Sequence, residues 1–352
     1  DSVPVLYVSG QVRYDTTIMS CPELGLRQLG DQEVNIIDVV KPLTKYAVCI
    51  SDAKQVKKEL QKAVFLATDG RPGPVWIDVP MNIQGSLVEE SELEAFIEPQ
   101  TVKPEIPSSE SVKKIVELLK TAERPVIVAG QGVRLSGTIE SLNNLLQKTN
   151  IPVLATLNGF DVVNWEHPQY VGTIGTIGSR AGNFAIQNAD LVLFLGTRNN
   201  IRQISYNWQA FARAAKKVCV DVDAAELKKP LLKYDLAVAD DLKNLLPALN
   251  EAVSAKDFDF SEWLNWGLAR KKKYNPVLES YKNLKDVINP YVFMEELSFA
   301  VPEKSTVVTG NATACICYFQ AAKIKKHNRV IWNSGCASMG YDLPAAIGAA
   351  VA

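Results

Sequence analysis

The chain has 352 residues, enough for two or three domains, and 47% of them are hydrophobic, which is ample for sizeable cores. Thirty-eight basic residues against 39 acidic ones leave a formal charge of −1, which gives no electrostatic footprint for nucleic acid or an anionic membrane. No apolar run reaches transmembrane length, and the six cysteines lack metal-ligand spacing, which fits a reduced, cytoplasmic setting. Cys315 and Cys317 sit in an apolar run and read as core. With only two isolated histidines, His167 and His327, a histidine triad or zinc site is not expected.

The opening, Val3–Ser9, reads as a buried strand already in progress, so an internal stretch of a longer protein is expected. Val34–Lys41 reads as mixed strand or helix, and Ala53–Thr68 as a helix ending at Asp69-Gly70. The turn cluster Gly70–Pro74 then leads into a strand, Val75–Pro80. Strand, helix and strand in this order predict a parallel α/β sheet for residues 1–85. Residues 86–107, acidic and then proline-rich, read as a linker.

Residues 108–253 read as a complete second domain. Helices are expected at Ser111–Thr121, Ile139–Lys148 and Asn183–Ala189, the first capped by Ser108 or Ser109. Strands are expected at Pro125–Gly130, Pro152–Thr156, Asp190–Gly196 and Val218–Asp223. The alternation predicts a doubly wound parallel sheet with a crevice at the strand C-termini. Gly130-x-Gly132 lies at one strand end, and Gly172, Gly175 and Gly178 recur at spacing three. Such glycines admit close approach of either a ligand or a neighbouring element.

Residues 254–288 read as a second linker with a short amphipathic helix, and residues 289–352 as the start of a third α/β domain. There Asn289-Pro290 opens a helix, and the strand Thr306–Thr309 runs into Gly310-Asn311-Ala312-Thr313, a fitting place for a diphosphate. The stretch Ser334–Ala352 reads as a loop followed by a small-residue helix with Pro344 in its first turn. Met339, between Ser338 and Gly340, is either core filler or a large side chain projecting into a cavity.

Ser338–Ala349 and Gly70–Gln84 together resemble the thiamine diphosphate enzymes, with acetolactate synthase as the most similar branch; Gln32-Glu33 and Leu43–Tyr46 add to the match. The resemblance implies successive parallel-sheet domains: the end of a pyrimidine-binding domain, a central domain, and the start of a diphosphate-binding domain. It implies that Gly310, Asn311, Ala312, Thr313, Ser338, Met339 and Gly340 hold thiamine diphosphate, with Met339 beneath its bend, and that Gln32 lines the active site. It also implies a flavin-type site at Gly130, Gly132, Gly175, Arg198 and Arg202 for the ADP part of FAD. Mg²⁺ is expected, with its ligands and the catalytic glutamate outside these residues, so the stretch alone is expected to be inactive.

The implied reaction is decarboxylation of a 2-keto acid followed by carboligation, in a homodimer or homotetramer with no nucleic-acid or membrane partner. Departures from the acetolactate synthase pattern occur at Met81, where lysine is usual, at Asn199–Arg202, and at Thr313-Ala314. They leave open another thiamine diphosphate lyase or hydrolase chemistry, or a non-catalytic nucleotide-binding α/β protein.

Overall fold

A computed structural model describes residues 2–99 and 108–352. The chain forms two compact units, Asp1–Lys103 and Pro104–Ala352.

The first unit carries β1 (Leu6–Gln11), α1 (Ile36–Val40), β2 (Tyr46–Cys49), α2 (Val56–Thr68), β3 (Val75–Pro80) and α3 (Met81–Gln84). Its three strands are parallel in the order β1-β3-β2. Ala63 and Ala67 of α2 pack on Val75 and Ile77 of the central strand. The ambiguous stretch before Lys41 is helical because Asn35 caps it, its side chain accepting from the Asp38 N–H. Of the expected linker, residues 100–107, including Pro104 and Pro107, lie outside the described residues. The part before them runs along α2 and the turn that opens it: Glu92 and Glu94 pair with Lys54 and Lys58 at 3.2 and 2.7 Å, and the Phe96 ring lies tilted to that of Phe65 at 5.6 Å.

The second unit opens with α4 (Ser108–Thr121), β4 (Pro125–Ala129), α5 (Gln131–Leu135), α6 (Ile139–Thr149), β5 (Val153–Ala155) and β6 (Tyr170–Thr173). It continues with α7 (Arg180–Asn188), β7 (Leu191–Leu195), α8 (Ile201–Ile204), β8 (Lys216–Asp221), β9 (Leu236–Ala239) and α9 (Leu242–Ala252). The six strands are all parallel in the order β6-β5-β4-β7-β8-β9. Counted within this sheet, that is 3-2-1-4-5-6, the doubly wound order, with its switch point between β4 and β7. β4 and β7 are apolar throughout because both faces are covered. One side packs against α4, α6 and α9 through Ile115, Leu145 and Leu246, and the other against α7 through Ala185 and Ile186.

Residues 254–273 do not lie free of this sheet. Phe258 and Phe260 enter one core, and Trp263 and Leu264 of α10 (Ser261–Lys273) enter the other. Trp263 Nε1 donates to the Pro125 carbonyl at 3.0 Å, and Lys271 donates to the carbonyls of Trp165 and Tyr170. The basic triplet Lys271–Lys273 is thus the C-terminal turn of a docked helix, where cations complement the helix dipole.

After α11 (Glu279–Lys282) come α12 (Pro290–Ala300), β10 (Thr306–Thr309), α13 (Ala312–Ala321), β11 (Arg329–Trp332) and α14 (Asp342–Val351). β10 and β11 pair in parallel, Thr306 opposite Arg329 and Thr309 opposite Trp332. Their core is shared with the six-stranded domain. Phe160, from the loop after β5, stacks on Trp332 at 5.5 Å and meets Phe319 edge-on at 5.0 Å.

Candidate functional site

Two parallel neighbours, β10 and β11, deliver their following loops to the same end of the sheet, the end where open α/β sheets bind ligands. The first loop is Gly310-Asn311, leading into α13; the second runs from Asn333 to Tyr341, leading into α14. One bond ties them: Asn311 Nδ2 donates to the Ala337 carbonyl at 2.5 Å. Ala312, Ala337 and Gly340 all have positive φ, which turns the backbone sharply at the mouth of both helices. Gly310 is buried, and a Cβ there would lie 3.2 Å from the Asp342 carboxylate at the start of α14. Thr313 and Ser338 are exposed hydroxyls at the two helix entries. Met339 is 94% exposed and stands out from the loop between small neighbours.

Beneath the loops lies a buried polar floor. Ser334 is 4% exposed, and its Oγ accepts from Arg202 Nη1 of α8 at 2.6 Å. Cys315 of α13 is buried beside it, and burial pushes its thiol pKa up. An Asp161 cluster stands at the same boundary. Asp161 Oδ2 accepts from Arg329 Nη1 at 2.6 Å and from the Val330 N–H at 2.8 Å. Its Oδ1 lies 3.1 Å from Arg134 Nη2. Arg134, Asp161, Arg329 and Ser334 were not anticipated from sequence. A lone acid inside the run Phe160-Asp161-Val162-Val163 was the available signal, since buried charge must be paired.

The residues expected for a flavin have other partners. Gly130 and Gly196 end β4 and β7 at the switch point, and a Cβ on Gly130 would lie 2.2 Å from the Gly196 carbonyl oxygen. A Cβ on Gly132 would lie 2.5 Å from the Gly196 Cα, and the Gly132 N–H donates to that same carbonyl at 2.9 Å. Gly175, at φ +117°, passes within 3.0 Å of the Arg202 carbonyl as judged by its missing Cβ. Arg198 pairs with Glu226 at 3.0 Å, and Arg202 with Ser334. Each of these five residues thus has a contact of its own within the chain.

Gln32 belongs to the first unit, where it is exposed at φ +60° in a turn. Its neighbour Glu33 is buried and holds the turn. The Glu33 carboxylate accepts from the backbone N–H groups of Ile18, Leu29 and Gly30 at 2.5, 2.7 and 3.2 Å. Burial opposes its charge, but the three N–H donors outweigh that and hold the carboxyl below the ordinary range. A depressed pKa stabilises the fold above the unfolded-state value of 4.5, and that stability is lost as pH falls through the folded-state pKa. Glu33→Gln is accordingly expected to destabilise at pH 7, with the deficit shrinking below pH ~4. Urea titrations of both proteins at the two pH values check this.

Residues 112–249 match the family model described as "Thiamine pyrophosphate enzyme, central domain". The match covers less than half of the chain. The doubly wound sheet from β4 to β9 falls almost wholly inside that match. Acetolactate synthase 2, chloroplastic, of Nicotiana tabacum is 31% identical over 357 residues, which is all of this chain and 51% of that protein. The acetolactate synthase large subunit of Lactococcus lactis is 30% identical, over all of this chain and 59% of that protein. A probable acetolactate synthase large subunit of Methanocaldococcus jannaschii is 31% identical, again across the whole chain and 59% of its own length. The chain thus spans about half the length of the curated relatives it matches. No described helix is long and apolar enough to cross a membrane. No described group of three or more His, Cys, Asp or Glu side chains could hold a metal ion.

Proposed function

We propose that the intact protein is a thiamine diphosphate-dependent enzyme that decarboxylates a 2-keto acid and joins the product to a second carbonyl. The observation that carries this reading is the Asn311–Ala337 bond, which ties the loop of Gly310–Thr313 to that of Ser338–Gly340 at one end of the β10-β11 pair. The similarity of the whole chain to acetolactate synthases supports it.

The donor set fits the coenzyme. Asn311 and Ala312 open α13, where backbone N–H groups and the helix dipole favour phosphate oxygens, with Gly310 buried just before them. The Thr313 and Ser338 hydroxyls add donors on either side. When bound, the coenzyme supplies an electron sink for the carbon that loses carbon dioxide. Met339 would lie beneath the bound coenzyme and hold its bend. Asp342 puts a carboxylate next to Gly310, so a diphosphate here requires a cation to offset the repulsion, and Mg²⁺ suits oxygen ligands. Assembly into a homodimer or homotetramer is part of the proposal.

Calorimetric titration of the intact protein with thiamine diphosphate and Mg²⁺ is expected to show saturable binding, and pyruvate to release carbon dioxide. No binding would overturn the reading. Met339→Ala is expected to lower turnover at least tenfold while leaving the unfolding midpoint unchanged, because an exposed side chain contributes little packing. Wild-type turnover in that variant would remove its role. A thiamine diphosphate lyase or hydrolase acting on another carbonyl compound is the second reading. Met81, 59% exposed where acetolactate synthases usually carry lysine, favours it. Coenzyme binding without carbon dioxide release from any 2-keto acid would select it.

A further inference from the structure

We infer that Arg202 is a positioning residue: anchored by the Gly172–Gly178 loop, it reaches out of the central domain to Ser334 and sets the loop that carries Ser338, Met339 and Gly340. The inference rests on the proposed coenzyme site, and it gives residues that resemble a flavin site a different task.

The anchor comes first. The Arg202 carbonyl accepts from the Thr176 N–H at 2.9 Å. Gly175 must be glycine because a Cβ would stand 3.0 Å from that same carbonyl, at a φ of +117°. Asn183 of α7 clamps Gly175 from the other side, accepting from its N–H at 3.1 Å and donating to its carbonyl at 2.9 Å. The Arg202 backbone is therefore held on a loop that has little freedom.

The reach comes next. Arg202 Nη1 donates to Ser334 Oγ at 2.6 Å across 132 residues of sequence. Ser334 is buried, so water does not compete well for its hydroxyl, and a charge-assisted bond there is stronger than at the surface. The same loop sends the Ile177 carbonyl to Gln320 Nε2 of α13 at 2.9 Å. One glycine-rich loop thus fixes two points: the start of the Ser334–Gly340 segment, through Arg202, and α13 beneath the other loop, through Ile177.

The outcome concerns order. Ser338, Met339 and Gly340 are exposed, and their approach is held by the Asn311–Ala337 bond, by the Ala337 N–H on the Asn333 carbonyl and by the Ser334 anchor. A loop ordered before the coenzyme arrives avoids the entropic cost of ordering it during binding.

Cys336 supplies a readout, since it is an exposed thiol inside the segment. In the intact protein, Arg202→Met and Ser334→Ala are each expected to weaken thiamine diphosphate binding in saturating Mg²⁺ by roughly tenfold, the worth of one hydrogen bond to a charged group. The double variant is expected to be no weaker than the poorer single variant, because both remove the same bond. Alkylation of Cys336, followed by peptide mass spectrometry without coenzyme, is expected to quicken several-fold in both variants. Arg202→Lys, which keeps a donor, is expected to restore a large part of both effects. Additive losses in the double variant, or an unchanged Cys336 rate with unchanged affinity, would overturn the inference. A wild-type protein that binds no thiamine diphosphate sinks the proposed function instead; the Cys336 rates still test whether Arg202 orders the loop.

Discussion

Replacing Gly130 by alanine is expected to prevent the central domain from closing its sheet. The new methyl group would lie 2.2 Å from the Gly196 carbonyl oxygen and 2.6 Å from the Thr197 Cβ. Both obstacles sit at the end of β7, directly across the switch point, and neither is the tip of a flexible side chain. Relief requires parting β4 from β7, whose register runs unbroken from Pro125 opposite Leu191 to Ala129 opposite Leu195. The cost is expected to exceed the roughly 1–3 kcal/mol typical of overpacking. Gly70→Ala is the control. Gly70 has a φ of +56° and nothing within 4 Å of its missing Cβ, so only the left-handed penalty of about 1–2 kcal/mol applies. Soluble yield and urea midpoints are expected to rank wild type first, Gly70→Ala slightly below, and Gly130→Ala far below. A Gly130→Ala protein of wild-type stability would return this glycine to the role of a ligand cradle.

The second large effect is expected at Asp161. Its side chain is 1% exposed and faces two guanidinium groups and a backbone N–H. Asp161→Ala leaves Arg134 and Arg329 beside a hole with no countercharge. Breaking a buried pair in this way costs about 3–5 kcal/mol. The arginine side chains keep 27% and 32% of their exposure, which lets water screen part of the loss and places the expectation near the lower figure. Asp161→Asn keeps the shape and an acceptor, and is expected to lose about half as much. Denaturant unfolding gives the ranking directly. Equal stability of all three proteins would show that the cluster contributes nothing net.

The parallel α/β architecture was legible because buried parallel strands are written as unbroken apolar runs. Val75–Pro80 and Thr306–Thr309 have the bounds expected for them, β4 is one residue shorter at its end, and β7 is one residue shorter at each end. β6 was missed because Tyr170-Val-Gly-Thr opens a glycine run that reads as loop, and β9 because Leu236-Ala-Val-Ala is short and small. Residues 254–273 looked like a linker because their mixed charge hides the apolar face; Phe258, Phe260 and Trp263 were its visible part. The loops of the candidate site were legible as local motifs. Their supports were not: Arg202 meets Ser334 across 132 residues and Arg329 meets Asp161 across 168, and pairings of that span leave no trace in local spacing.

The aromatic trio Phe160, Phe319 and Trp332 bears on how such proteins can be recombined. A crossover placed between α10 and α12, where the motifs change character, would separate Phe160 from both of its partners and Asp161 from Arg329. A chimera that imports the segment from α12 onward must therefore import residues 157–161 with it, or bring matching replacements. Natural exchange of modules at that junction is constrained in the same way, by a five-residue loop encoded more than a hundred positions upstream.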